Sequence, residues 1–256
     1  MKYRIYLTGI RIPKFVKKHL RRKIMKKITA GLLVSICMTG VFTVDAHAST
    51  YVEPKTYDQL VSSGEIDPTV ISREAWDKSV AEEKAALADI ENDVDAGDID
   101  DNGVVNQGAF SPKLGDILVT NNTISSRYMG HAAMYVGSGK VLEINGYGKL
   151  SGLHSYSTFK SNGMAGNHWV KIYRTKSAWG NDAVIYGVNK LQKKTYDINL
   201  DLASTSPTYC SKLVWQAYNK GVGTASTKND NLHYRIIKPY SLAKDIVGAK
   251  LVKTYK

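Results

Sequence analysis

An α+β fold, with an antiparallel sheet packed against helices and preceded by a helical N-terminal segment, is predicted by three features of this chain. Short strand-like runs crowd residues 115–173, helical spacing lies on either side of them, and a glycine-rich turn sits in their middle. In chain order, residues 72–94 read as the first long helix, because Trp76, Val80, Leu87, Ile90 and Val94 recur at helical spacing. Residues 93–103 are acidic and read as a solvated linker. Within them Asp98-x-Asp100-x-Asn102-Gly103 matches the first half of a calcium loop, but the twelfth position is Ala109, where a bidentate carboxylate belongs. Residues 115–120 form a short strand. Residues 130–136 and 141–145 flank Gly137-Ser138-Gly139-Lys140 as a hairpin. Residues 168–173 are a further strand and 181–193 a helix. A second helix starts at Ser206-Pro207, carries Cys210 and ends at Gly221, a natural C-cap. Residues 232–237 and 249–255 close the sheet, with the helices expected on one side of it.

Charge divides the chain into three. Residues 1–48 carry eleven basic groups and one acid, then a long apolar run from 28 to 44 and Ala46-His47-Ala48, a small-x-small pattern. That is a signal peptide, with an uncleaved anchor as the alternative, and Met25 is a second candidate start. Residues 49–112 form an acidic helical preamble and linker; 49–103 alone hold fifteen acids and four bases. Residues 113–256 are the main domain, and from 104 onward there are twenty bases against seven acids. A basic domain outside the cytoplasm suits anionic envelope polymers or lipid headgroups, and no arginine-rich cluster or aromatic ladder points to nucleic acid. The preamble's opposite charge predicts docking on that domain.

Cys210 is the one cysteine left once the leader is removed. Placed in the first turn of a helix, its thiol meets unpaired backbone N–H groups and the helix dipole, which favour the thiolate. A lone cysteine is more often a small buried hydrophobe. In an exported chain, though, a free thiol risks oxidation, so a nucleophile with a nearby base is the reading that explains it. Of His131, His154, His168 and His233, only His131 lies within a strand beside small residues that let another element approach. His154, in a Ser/Tyr-rich loop, is the alternative base. If Val136 pairs with Lys140, then Ala133 faces Glu143, and His131 and Glu143 become diagonal neighbours on one face of the hairpin. A one-residue slip would send Glu143 to the other face as an ordinary solvent-facing glutamate.

The segments Gly115-Asp116-Ile117, Gly130-His131-Ala132-Ala133-Met134-Tyr135-Val136-Gly137 with Glu143, and Tyr209-Cys210-Ser211-Lys212-Leu213-Val214-Trp215 together resemble the circularly permuted branch of the NlpC-type papain-like cysteine hydrolases, the YiiX group. Ordinary members place the cysteine helix before the histidine strand. Here His131 precedes Cys210 by seventy-nine residues, the permuted order. The resemblance covers roughly residues 113–256 and implies a permuted papain-like fold, with Cys210 as nucleophile, His131 as general base and acid, and Glu143 orienting the imidazole. It implies a secreted cysteine hydrolase cleaving an amide bond in cell-wall peptidoglycan or a peptide through a thioester. The alternatives are a lipid amidase, esterase or acyltransferase of the same fold, and a non-catalytic envelope-binding module. No cofactor and no metal are expected, since neither His-Glu-x-x-His nor paired-cysteine spacing occurs.

Overall fold

Residues 117–119 are apolar with no polar alternation, as a strand buried on both faces requires, and Thr120 ends the run. In the computed structural model, which describes residues 55–122, 130–228 and 235–256, that run is the strand β3 (Ile117–Thr120), buried throughout. On one side it pairs with β4 (His131–Gly137), which continues through a hairpin into β5 (Lys140–Glu143) and then β6 (Gly152–Ser155). On the other side it pairs with β7 (Val170–Arg174), flanked by β8 (Lys250–Tyr255). The six-stranded order is β6-β5-β4-β3-β7-β8, antiparallel throughout. The hairpin keeps Met134 opposite Leu142 and Tyr135 opposite Val141. A bulge then puts Gly137, rather than Val136, opposite Lys140.

Side-chain alternation splits the core into two layers. Ile117, Val119, Ala132, Met134 and Leu142 face α4 (Ser177–Lys190) and α5 (Cys210–Gly221), while Leu118, Ala133, Val141, Val170 and Ile172 face α3 (Tyr156–Gly163) through Phe159. The sheet is therefore covered on both faces, not one. A continuous buried face on α5 (Leu213, Val214, Trp215, Ala217, Tyr218) makes it the central helix. It packs closely on α4 because Gly187 and Gly221 carry no Cβ. One added at Gly221 would lie 2.8 Å from the carbonyl oxygen of Asp182, and one at Gly187 would lie 3.6 Å from Ala217 on α5 and 2.9 Å from Met134 on the sheet beneath.

The N-terminal helices belong to the same core. The first, α1 (Tyr57–Ser62), has a capping box between Thr56 and Gln59, and α2 (Arg73–Glu91) has Ser72 as its N-cap. Leu60, Ile66, Ile71, Trp76 and Ile90 are buried in one cluster with Leu213 and Tyr240, so residues 49–112 and 113–256 share a core where they are described. The acidic stretch after α2 differs from the solvated linker its composition suggests. It holds a two-residue ribbon, β1 (Asp98–Ile99) with β2 (Val105–Asn106). Its acids are engaged: Asp98 pairs with the Arg174 guanidinium, and Asp95 accepts from the Thr254 backbone N–H and hydroxyl at 2.8 and 2.6 Å. Lys171, inside β7, donates its Nζ to the carbonyl of Ile90 at the end of α2.

Two expected elements differ. The cysteine helix starts at Cys210 itself, with Tyr209 as an extended N-cap. Residues 206–208 cannot open it because Thr208 bridges Tyr196 and exchanges backbone hydrogen bonds with Thr195 and Asp197. A short α6 (Leu242–Asp245) precedes β8, and residues 235–237 are not a strand. The N–H of Ile237 donates to the Tyr209 hydroxyl and its carbonyl accepts from the Ser211 hydroxyl, so both backbone groups serve side chains. The expected signal peptide, His233 and the first part of that strand lie outside the described residues.

Candidate functional site

Two local features bring the site together at the start of β4. Gly130, at φ +70°, turns the chain into the strand; a Cβ there would lie 2.6 Å from the Tyr240 ring and 2.8 Å from the Thr120 carbonyl. His131 follows, only 2% exposed, opposite Thr120 and stacked obliquely on Phe159 with ring centroids 5.6 Å apart. Pleat alternation and the hairpin register put Glu143 on the same face. Its Oε2 lies 2.8 Å from His131 Nε2. From the helical side, Cys210 occupies the first position of α5, 2% exposed and free of disulfide. Among the described residues no side chain caps that helix start.

His131 Nδ1 makes no hydrogen bond of standard geometry, and the imidazole and the Cys210 thiol shift each other's pKa. A loose nucleophile–base contact is ordinary when no substrate is bound. The electrostatics are those of a coupled pair. Burial opposes charging either group, yet hydrogen bonding and attraction between them push Cys210 down and His131 up, with Ala132 N–H adding to the first and Glu143 to the second. Burial likewise opposes the Glu143 carboxylate, but the His131 hydrogen bond and charge hold its pKa below the usual value. The structure thus brings together all three residues singled out in the sequence.

It also adds one. His154 sits on β6 opposite Val141, and its Nδ1 lies 3.0 Å from Glu143 Oε1, so the carboxylate is held between two imidazoles. Asn145 Nδ2 stands 3.4 Å from the same His154 nitrogen. His154 is 42% exposed along its side chain and borders a cavity of about 510 Å³, lined also by His131, Glu143, Asn145, Lys140 and Asn162. Cys210 does not line that cavity. As a base for the thiol His154 is misplaced, because its contact is with Glu143. Its pairing with the hairpin was not readable, since Gly152-Leu153-His154-Ser155 has too little apolar alternation to read as a strand. Lys212 was equally hidden. Two residues after Cys210 and fully buried, it donates to the Asn199 side chain at 2.8 Å and the Pro207 carbonyl at 3.1 Å, and burial lowers its pKa to about 8. It ties down the chain leading into Cys210. His168 lies ahead of β7 and places Nδ1 2.6 Å from the Ala165 carbonyl.

A family model described as "Lipoprotein N-acylation protein LnsA-like" matches residues 86–255, from within α2 to the end of β8. An uncharacterised 30.3 kDa protein of Bacillus thuringiensis is 33% identical over 162 residues, covering 58% of this chain and 59% of that protein; the chain thus spans about three-fifths of that relative's length. A solved structure described as the metalloprotein yiiX of Escherichia coli O157:H7 is 15% identical, with a TM-score of 0.44, covering 57% of this chain and 99% of that one.

Proposed function

We propose that this chain, which belongs to the lipoprotein N-acylation protein LnsA-like family, is a cysteine acyl-transfer enzyme that takes a fatty acyl group from a lipid ester onto Cys210. The observation that carries the reading is the line Cys210–His131–Glu143, with the 2.8 Å His131–Glu143 hydrogen bond at its far end. The thiolate attacks the ester carbonyl, and backbone N–H groups at the start of α5 hold the oxyanion. As the C–O bond breaks, the His131 imidazolium gives its proton to the departing alkoxide, leaving a thioester on sulfur. An amine, the N-terminal amine of a lipoprotein being the one the family description favours, attacks the thioester. Its proton passes to His131, the C–N bond forms and the thiolate leaves. Glu143 fixes the imidazole's orientation and stabilises its charged form throughout. Water in place of the amine turns the same steps into hydrolysis.

Cleavage of a cell-wall peptide uses the same acyl-enzyme, but the family description favours a lipid acyl group over a peptidoglycan stem. The basic and apolar leader supports an extracytoplasmic location, where both lipid donor and lipoprotein are found. No helix of the described residues is long and apolar enough to cross a membrane. The test is to incubate the protein with phospholipid vesicles and a synthetic diacylglyceryl-cysteine peptide bearing a free amine, and to follow both by mass. N-acylated peptide with lysolipid supports transfer, and free fatty acid with lysolipid supports hydrolysis. Shortened cell-wall peptides with intact lipid would overturn the reading.

A further inference from the structure

Nine large apolar side chains stand exposed among the described residues, and three of them fall within seven positions: Tyr147, Leu150 and Leu153, at 51, 54 and 37% exposure. Isolated exposed apolar residues need no explanation, but a cluster beside a site does. These three lie on the chain that leaves β5 and enters β6, and Leu153 lines the same cavity as His131, Glu143 and His154. Basic residues share this face. Lys149 precedes Leu150, and Leu150 bridges Thr195. Ser151 N–H donates to the Lys194 carbonyl at 2.9 Å, and Lys193 N–H donates to the Ser151 carbonyl at 2.7 Å. Lys193 sits at φ +59°, a conformation that glycine or asparagine adopts more cheaply; these bonds, with Lys194 N–H on Ser151 Oγ at 2.8 Å, hold it there. None of Lys149, Lys193 and Lys194 forms an ion pair among the described residues. Glu65 follows Gly64, whose missing Cβ makes room for the Tyr147 hydroxyl, and it is neutralised by Lys55.

We propose that this face docks on an anionic lipid surface and brings the cavity beside His131 and Glu143 to the level of the headgroups. The inference rests on the lipid-donor reading above. Three features select lipid as the occupant. A tyrosine with an apolar body and polar tip suits the water–lipid boundary, two leucines can enter the acyl region, and unpaired lysines complement phosphate headgroups. The basic surplus of residues 104–256 adds long-range attraction of the same sign.

The test uses the full chain with phosphatidylglycerol vesicles, phosphatidylcholine vesicles or neither, and reads amide hydrogen exchange segment by segment. Binding through the leader then registers apart from binding through this face. Slower exchange across 146–155 and 190–196 with the anionic vesicles, weakened by 0.5 M salt and small with the zwitterionic ones, is the expected result. Protection only elsewhere, or equal protection with both vesicles, would overturn the proposal. A second arm compares Tyr147→Ser/Leu150→Ser and Lys149→Gln/Lys194→Gln with the unaltered protein. Both variants should keep turnover of a water-soluble short-chain ester. On vesicle-borne donor the lysine variant should lose on the order of fivefold per lysine removed, and the apolar variant should also fall. Equal loss on both substrates would mean the face belongs to the reaction site, and no loss on vesicles would mean that it does not dock. Failure of the acyl-enzyme reading looks different: no turnover of either substrate by the unaltered protein.

Discussion

Glu143 is held from two sides, and that makes its neighbours separable by substitution. Cys210→Ser should abolish turnover of a soluble ester with the fold intact, because one atom changes at a helix start that has room for it. His131→Ala should cost about 10²–10⁴-fold in kcat. Members of such a unit are not additive, so adding Cys210→Ser should take little more. Glu143→Gln should cost less than His131→Ala, since an amide oxygen still accepts from the imidazole but does not stabilise its charge. His154→Ala touches the reaction only through Glu143. It should lower kcat by less than tenfold and shift the acid limb of the pH–rate profile, while His154→Gln restores most of the rate. If His154→Ala matched His131→Ala in severity, the order of contacts described here would be wrong. The lowered thiol pKa adds a chemical readout: Cys210 should alkylate faster than a free cysteine at mildly acid pH, and the excess should vanish in His131→Ala. His131 and Glu143 were legible in the sequence because a two-residue period and one hairpin turn fix which side chains share a face. His154 was not, because an edge strand reveals its partner only once the sheet is assembled.

Among the elements, α2 carries the least expected chemistry. Glu83 is fully buried, and its carboxylate accepts from the Tyr240 backbone N–H at 2.6 Å and the Ser241 hydroxyl at 3.2 Å. The Tyr240 ring sits over Gly130, so an acid on the N-terminal helix steadies the loop packed on the site. Burial raises the Glu83 pKa to about 7, against the pull of these hydrogen bonds and of Lys238. The folded protein therefore holds a proton that the unfolded chain gives up at the ordinary glutamate pKa. Stability from this group is complete below that ordinary value and is lost as pH rises through about 7. Over this window the loss is at most about 3 kcal/mol. Glu83→Gln keeps an acceptor for Tyr240 and removes the titration, so its denaturation midpoint should fall less between pH 5 and 8 than that of the unaltered protein. Parallel curves would contradict this. A helix here was legible from Trp76 and Ile90 at helical spacing, but nothing in an acidic helix distinguishes the one glutamate that turns inward. The true start of α5 was hidden for a similar reason. Ser206-Pro207 has the composition of a helix opening, and only the distant pairing of Thr208 with residues 195–197 denies it that role.

Taken whole, the molecule is built around α5, with the sheet's histidine strand on one side and the N-terminal helices locked into the same apolar layer. A chain beginning at Ser111 loses Leu60, Ile66, Ile71, Trp76 and Ile90 from that layer, as well as the partner of Arg174 in Asp98. Each buried side chain of this size contributes about 1.5–3 kcal/mol, so together they are comparable to the whole stability of a typical domain. The shortened chain should fail to give a cooperative thermal transition; a transition at the original temperature would contradict the shared core. Charge division along the chain suggested a separate N-terminal segment, but where it is described its attachment rests on apolar burial that net charge does not report. The central claim is that Cys210 carries the acyl group. Its most direct test is intact mass measurement of the protein after brief exposure to a lipid ester and acid quench. The expected result is one added acyl mass, released by neutral hydroxylamine, mapped to the peptide containing Cys210 and absent from Cys210→Ser. Turnover with no such adduct, or an adduct that persists in Cys210→Ser, would contradict it.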